Sequence, residues 1–151
     1  MLNAALREKN RDAVKPWRHY IWLLMNGLRE LPPIAPHTTV YRCMSLGMSE
    51  LGAAYAKDSE FQWVAFSSTT SRIGATEGFL GTTGPRVMFH LKLTENVARD
   101  ISAFSFHDEN EILLPPNMTF EVKSSVYAGH GLHILQCDQT PTIDMLLDFP
   151  P

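Results

Sequence analysis

Residues 109–116 read ENEILLPP, with two glutamates one residue apart, a short apolar run and two prolines. The run from Glu111 to Leu114 is typical of a strand. Because side chains alternate between the two faces of extended backbone, Glu109 and Glu111 would point to the same side. The stretch therefore predicts a short strand that opens with a pair of carboxylates on one face.

Two other polar motifs precede this strand. Together with residues 109–111 we call them the three stations. Tyr41-Arg42 ends one apolar run, and Phe66-Ser67-Ser68-Thr69-Thr70 ends another. An arginine, a cluster of hydroxyls and two carboxylates are the groups suited to holding a dinucleotide and cleaving a glycosidic bond in it. Each short motif occurs by chance in many proteins, so their order, spacing and strand context carry the inference.

The first fifth of the chain has helical periodicity. Between Pro16 and Leu31, apolar residues recur at steps of three and four, which predicts a core-facing helix, preceded by a shorter one over residues 2–11. The apolar positions are Trp17, Tyr20, Ile21, Leu24, Met25, Leu28 and Leu31. Packing in the core is the predicted role of these side chains.

The remainder reads as short strands, with one helical segment near Ser45 to Ala56. The predicted strands are residues 38–43, 62–68, 86–93, 98–103, 111–114, 119–127 and 132–137. Helices followed by strands predict an α+β fold. We expect a single domain, 1–151, with a helical portion, 1–36, and a strand-rich portion, 37–151.

The stretch from Ser71 to Pro85, SRIGATEGFLGTTGP, is rich in Gly and Thr and predicts a flexible loop directly after the hydroxyl cluster. A long loop inside a compact domain is often functional, although a simple surface excursion is the alternative. The loop lacks the glycine patterns of Rossmann and P-loop nucleotide sites, so neither is indicated.

The composition of the chain argues against several classes of function. The chain has 151 residues, 44% of them hydrophobic, which suffices for one core without disulfides or metal. The net charge of −3 and the dispersed Lys and Arg give no reason to expect nucleic acid as a partner. No apolar run reaches the roughly 18 residues of a membrane helix, and the opening residues are too charged for a signal peptide. We therefore expect a soluble protein and assign no compartment.

Cysteine and histidine usage points away from metal. Cys43 and Cys137 lack metal-ligand spacing and predict two buried thiols, with a single bridge left open for a secreted protein. The six histidines have no paired spacing typical of metal ligands, and no metal site is predicted.

The three stations resemble the arginine–serine–glutamate signature of the mono-ADP-ribosyltransferases that modify arginine. In that family an aromatic-Arg pair ends the first strand, a Ser-Thr-Ser-like strand follows, and Glu-x-Glu precedes an apolar run and Pro-Pro. Tyr41-Arg42, residues 66–70 and residues 109–116 match these motifs, with Thr70 in place of the last serine. The resemblance runs from about Tyr20 to Leu135.

The resemblance implies roles for the two glutamates. Glu111 would accept a hydrogen bond from a ribose hydroxyl of NAD and stabilise positive charge at the anomeric carbon as nicotinamide leaves. Glu109 would orient the incoming guanidinium and help take its proton. In the family, a glutamate at this earlier position accompanies arginine acceptors.

The resemblance also assigns the NAD-binding residues. Arg42 would fork onto a phosphate or ribose oxygen, and Ser68 would contact the nicotinamide ribose and Glu111, with Ser67 as the fallback if the register slips by one. Cys43 stands where relatives commonly have glycine, and its backbone would serve the nicotinamide amide.

Two flanking segments receive roles by the same analogy. The loop 71–85 would cover NAD, with Phe79 stacked on the pyridine ring and Arg72 or Arg86 near the diphosphate. Residues 105–108 would read the acceptor protein, with Phe106 as the contact residue, although a core phenylalanine is the alternative.

The expected fold is α+β, with N-terminal helices packed on two antiparallel β-sheets and an NAD cleft between them. The expected function is transfer of ADP-ribose from NAD to an arginine of an acceptor protein. The alternatives are an NAD glycohydrolase and a catalytically silent binding module. NAD as substrate and an arginine-bearing acceptor protein are the implied partners, without metal, nucleic acid or a membrane segment.

Overall fold

The computed structural model describes residues 1–95, 97–105 and 110–141. Four α-helices lie within these ranges: α1 Leu2–Arg7, α2 Arg18–Arg29, α3 Met48–Leu51 and α4 Glu77–Leu80. Short 3₁₀ turns occupy Arg11–Trp17, Ala53–Tyr55, Ile73–Thr76 and Ser102–Phe104. No helix in the described ranges is long and apolar enough to cross a membrane.

Eight strands form one mixed sheet. The strands are β1 Thr39–Met44, β2 Glu60–Trp63, β3 Ser67–Thr70, β4 Arg86–Lys92, β5 Arg99–Asp100, β6 Glu111–Leu114, β7 Met118–Gly129 and β8 Leu132–Thr140. Their spatial order is β2-β7-β8-β4-β1-β3-β6-β5. Helices α1 and α2 precede all of the strands, and of the described helices only the short α3 and α4 lie between strands, so the α+β prediction is confirmed.

Pairing is uneven across this sheet. Strand β4 pairs along its whole length with β8 in parallel, and all of its residues except Arg86 are registered with β1 in antiparallel orientation. By contrast, a single residue pair, Tyr41 with Thr70, registers β1 against β3 among the described residues. The expected two sheets are thus two blocks of one hydrogen-bonded sheet, and the β4–β8 pair makes it mixed rather than wholly antiparallel.

Two apolar clusters hold the fold together. The larger cluster consists mainly of side chains from the strands of the sheet, and it includes the fully buried Phe89, Phe120 and Leu91. The smaller joins the helices to the sheet through Leu6, Met25 and Leu28 with Ala65, Phe66 and neighbouring apolar residues. Burial of this apolar area is the main force that docks the helical portion.

The helix–sheet contact also satisfies backbone groups at the end of α2. The guanidinium of Arg99, which is 5% exposed, donates from Nε to the carbonyl of Leu28 at 2.9 Å. The last carbonyls of a helix have no partners within the helix, so this bond caps α2 and fixes its distance from β5.

Several local predictions differ from the structure. The predicted strand 98–103 contains only the two residues of β5 and is followed by the 3₁₀ turn Ser102–Phe104. The predicted strand 62–68 is interrupted after Trp63, so that its two parts, β2 and β3, join different blocks of the sheet. The predicted loop 71–85 contains a 3₁₀ turn and α4. Tyr20, expected in the core, is 55% exposed, because the buried stripe of α2 is centred on Met25 and Leu28.

Candidate active site

Arg42 bridges the junction between β1 and β3. Its Nη1 donates to the carbonyl of Ser68 at 2.7 Å, one residue beyond the single Tyr41–Thr70 pair. A side chain thus satisfies a backbone acceptor next to the point where the two strands stop being registered. The junction brings the predicted arginine to the predicted hydroxyl cluster.

Ser68 and Glu111 form the polar pair of the site. Strands β3 and β6 are registered so that Ser68 faces Leu113 and Thr70 faces Glu111, which places Ser68 and Glu111 on one face. Ser68 Oγ donates to Glu111 Oε1 at 2.5 Å. A hydrogen bond to a carboxylate is short and strong, and it fixes the orientation of the acid.

The Arg42 side chain is half-buried. Its guanidinium lies 5.7 Å from the ring centroid of Trp63, and its Nε is buried without a hydrogen-bond partner among the described residues. Burial, and after it the nearby cation of Arg7, lowers the pKa of Arg42 below its ordinary value. A half-buried cation with a buried, unused Nε donor and a second cation nearby favours an anion as its ligand.

A cavity of 260 Å³ opens beside these two arginines. Its lining residues are Arg7, Arg42, Met44, Tyr55, Gln62, Trp63, Val64, Ala65 and Ser67. Arg7, in the last turn of α1, was not predicted from the sequence. No local pattern distinguishes it from the other basic residues of the helical portion, because it reaches the cavity only through the packing of α1.

The side chains of Ser67 and Ser68 lie on opposite faces of β3. Ser67 is buried, donates to the carbonyl of Ala65 at 3.3 Å and lines the cavity. Ser68 is exposed and its hydroxyl donates to Glu111 from the neighbouring register position. The register therefore pairs the carboxylate with Ser68 and leaves Ser67 on the side of Arg42.

The segment after β3 holds the start of β6. Arg72 Nη1 donates to Asn110 Oδ1 at 3.1 Å, and the amide of Ser71 donates to the carbonyl of Asn110 at 3.3 Å. Asn110 has a φ of 47°, a left-handed conformation that Asn tolerates better than most residues. These bonds position the residue directly before Glu111.

Other predicted site residues fall outside the described part of the structure. Glu109 and Phe106 lie between residues 105 and 110, where no placement is described. The backbone of Phe79 belongs to α4, whereas its side chain is also outside the description. Their roles stay predictions from the sequence.

Cys43 contacts the segment that follows β3. Its thiol hydrogen-bonds Thr76, a residue that is 3% exposed and was not singled out in the sequence. Burial raises the pKa of Cys43, an effect that Thr76 and Arg42 partly oppose. Cys43 and Cys137 are both free, and burial raises the pKa of Cys137 to about 12, so the structure contains two thiols and no bridge between them.

Arg86 has a different role from the one expected. It is 8% exposed, and its guanidinium donates to the carbonyls of Thr82, Gly84 and His130. The distance from Nη1 to the His130 oxygen is 2.9 Å. The prediction that Arg86 lies near a diphosphate is not supported by these bonds, because they direct the cation at backbone carbonyls and clamp the end of the loop to the β7–β8 turn.

Gly131 allows this clamp to close. It has a φ of 82°, and a Cβ at this position would lie 2.2 Å from the carbonyl oxygen of Gly84. Only glycine fits both the conformation and the close approach. The loop after β3 and the β7–β8 turn are therefore held against each other by backbone contact and by Arg86.

The described residues contain no group of three or more His, Cys, Asp or Glu side chains placed to share a metal ion. The polar groups at the junction are instead an arginine, two serines and one described carboxylate, Glu111.

Comparisons with known proteins identify similar folds. No family model matches the chain, and no curated protein matches its sequence. The solved structures that match include the Vibrio splendidus ADP-ribosyltransferase Vis in complex with agmatine, with a TM-score of 0.72 and 21% identity over 93% of this chain and 67% of that one.

Two other matches come from different bacteria. HopU1 of Pseudomonas syringae, an ADP-ribosyltransferase, has a TM-score of 0.68 and 23% identity over 92% of this chain and 63% of its own. C3stau2 of Staphylococcus aureus with NAD has a TM-score of 0.69 and 16% identity over 92% of this chain and 79% of its own. The chain thus spans about two thirds of the length of the Vis and HopU1 structures.

At these identities the likeness is one of architecture. It covers nearly the whole chain and includes both the helical portion and the strands that carry Arg42, Ser68 and Glu111. This chain has the ADP-ribosyltransferase fold.

Proposed function

We propose that this protein transfers ADP-ribose from NAD to an arginine side chain of an acceptor protein and releases nicotinamide. The observation that carries the proposal is the Ser68–Glu111 hydrogen bond, 2.5 Å long, next to the Arg42–Ser68 contact. These are the three residues that the family signature selects, on a chain with the ADP-ribosyltransferase fold.

The chemistry needs a carboxylate at the sugar. When the bond between the ribose C1′ and the nicotinamide nitrogen breaks, its electron pair leaves with nicotinamide and C1′ acquires oxocarbenium character. Glu111 would stabilise that positive charge and accept a hydrogen bond from a ribose hydroxyl. The hydrogen bond from Ser68 holds the Glu111 carboxylate in one orientation, so the carboxylate does not have to turn toward the sugar during the reaction.

The two arginines at the cavity suit the diphosphate of NAD. Arg42 has a buried, unused Nε donor, and Arg7 contributes a second cation on the same cavity. Their mutual repulsion contributes to the lowered pKa of Arg42, and a bound phosphate would relieve it. We assign a phosphate of NAD to the guanidinium of Arg42, which contacts Ser68 and through it the carboxylate of Glu111.

The proposal that arginine is the acceptor is supported by the presence of Glu109 and by one similar structure, that of Vis. In the proposed step a guanidinium nitrogen bonds to C1′ and loses its proton, which Glu109 would help take. Vis was solved with agmatine, a small molecule with a guanidinium group, and C3stau2 with NAD. Both ligands match the two substrates proposed for this chain.

The test is incubation with adenylate-labelled NAD, with and without agmatine. We expect label on agmatine from the wild type, with a loss of roughly 10²- to 10³-fold in Glu111→Gln, since one electrostatic contact to the transition state is removed. Glu109→Gln should lose transfer to agmatine and retain more of the nicotinamide release.

Other outcomes contradict the proposal. Nicotinamide release that agmatine neither captures nor changes would indicate an NAD glycohydrolase. A folded sample that binds NAD without consuming it would indicate a silent binding module.

A further inference from the structure

The side of α2 that faces away from the core is unusually apolar. Leu23, which is 62% exposed, points away from the buried Met25 and Leu28. Trp22, 64% exposed, and Tyr20, 55% exposed, lie on either side of Leu23, about 160° apart around the helix axis. Single exposed apolar residues are ordinary, but three within one turn of a helix make this exposed side a candidate for contact with a partner. We refer to Arg18, His19, Tyr20, Trp22, Leu23 and Arg29 as the outer face of α2.

Basic side chains flank the exposed tryptophan. At 100° per residue, Arg18 and Arg29 lie within about 40° of Trp22, one and two turns away from it, at the edge of the exposed side between Trp22 and the buried Met25. Both arginines are exposed, and Arg18 Nε donates to His19 Nε2 at 3.2 Å, which aligns these two side chains. The helix contains no acidic residue.

The helical portion and the strand-rich portion of the chain carry net charges of opposite sign. Residues 1–36 contain six Lys or Arg and three Asp or Glu, whereas residues 37–151 contain seven and thirteen. The helical portion is therefore positive and the strand-rich portion negative. A negatively charged surface would be attracted to the outer face of α2 and repelled by the rest of the molecule.

We propose that the outer face of α2 docks on an anionic phospholipid surface. Trp and Tyr rings are favoured at the headgroup level, Leu23 would enter the acyl boundary, and arginines would contact lipid phosphates. A second copy of this chain is a poorer occupant, because a symmetric contact would bring two positive helical portions together. The helix would lie on the membrane and does not span it.

The test is sedimentation of the whole chain with vesicles of phosphatidylcholine alone or of phosphatidylcholine mixed with phosphatidylserine. We expect the protein to pellet with the mixed vesicles, to stay in solution with the neutral ones, and to be released by salt. The double variant Trp22→Ser/Leu23→Ser should bind at least roughly tenfold more weakly, as should Arg18→Gln/Arg29→Gln.

Val126→Ser provides the matched control. Val126 is 54% exposed and lies on β7, in the negative portion of the chain, so its replacement should leave vesicle binding unchanged. Far-ultraviolet circular dichroism of every variant shows whether the substitution has left the fold intact. All of these positions are exposed, so folded variants are expected.

Three results would overturn the proposal. The first is equal binding to neutral and anionic vesicles, and the second is no binding to either. The third is displacement by polyglutamate together with unchanged vesicle binding of Trp22→Ser/Leu23→Ser, which would indicate an acidic protein surface as the partner. Activity on NAD and agmatine without vesicles is independent of this face, so failure here leaves the proposed transferase function untouched.

Discussion

The block of strands around β4 and the junction between β1 and β3 differ in how completely their backbones are paired. Strand β4 is registered with β8 throughout and with β1 at every residue after Arg86, and Phe89 at its centre is fully buried. At the junction one residue pair joins the strands, and the next connection is the side chain of Arg42 on the Ser68 carbonyl. The comparison shows an almost fully paired scaffold beside a less paired junction that carries the polar groups of the candidate site.

The largest expected effect tests the scaffold. Phe89→Ala should lower the free energy of unfolding by about 3–5 kcal/mol, because it leaves a cavity among the aromatic rings of the core. Urea denaturation measures the change. Phe104→Ala, at a position that is 70% exposed, should stay within about 0.5 kcal/mol of wild type. Similar effects at the two positions would contradict the assignment of the core.

Arg86 tests whether the loop and the β7–β8 turn belong to the scaffold. Arg86→Leu removes the donors to the carbonyls of Thr82, Gly84 and His130 and should cost about 2–3 kcal/mol in unfolding free energy. Arg72→Leu, which removes one partly exposed bond to Asn110, should cost less than half as much. If the two variants are equally stable, the clamp contributes nothing.

Ser68 tests the junction, where function should respond and stability should not. Ser68→Ala should lower kcat/KM for nicotinamide release by roughly tenfold, since Glu111 loses the bond that orients it, which corresponds to about 1–1.5 kcal/mol. Its melting temperature should match that of the wild type. Ser67→Ala should have a smaller effect on kcat/KM, because Ser67 faces away from Glu111, and the reverse order would contradict the register of β3 and β6.

The smallest expected effect concerns His90, on the outer side of β4. Burial lowers the pKa of His90 below its ordinary value of 6.5, so the unfolded chain binds the proton more tightly than the folded protein. Its contribution therefore makes the protein less stable as pH falls through 6.5 and has no effect well above that value. The melting temperature of His90→Phe should fall less than that of wild type between pH 7.5 and 5.5. An equal fall would show that His90 does not titrate differently on folding.

The local sequence pattern was sufficient to predict those strands and helices whose signal lies within one short stretch of the chain. The predicted strand Glu111–Leu114 has the bounds of β6, and the helix predicted over residues 16–31 contains α2. The family resemblance assigned Ser68 to Glu111, with Ser67 as the fallback, and Ser68 is the serine that hydrogen-bonds Glu111 in the structure. The bounds of strands and helices depend on neighbours within a few residues, whereas the Ser68–Glu111 pair joins segments 43 residues apart.

Features made by distant segments were missed or mistaken. Arg7 lies on the Arg42 cavity because the Leu6 side of α1 packs into the helix–sheet cluster, and nothing near Arg7 in the sequence records that contact. Thr76 was not distinguished from other loop threonines, and Arg86 was expected at a ligand rather than at carbonyls.

The sequence by itself determined the class of fold, the order of helices and strands, and the three stations that carry the proposed chemistry. These follow from local periodicity and from residue types whose chemistry does not depend on context. The tertiary structure alone decided the parallel pairing of β4 with β8, the single pair at the junction and the second arginine at the cavity. Each of these results from packing between segments far apart in the chain, where the free energy of burial, rather than local preference, selects the arrangement.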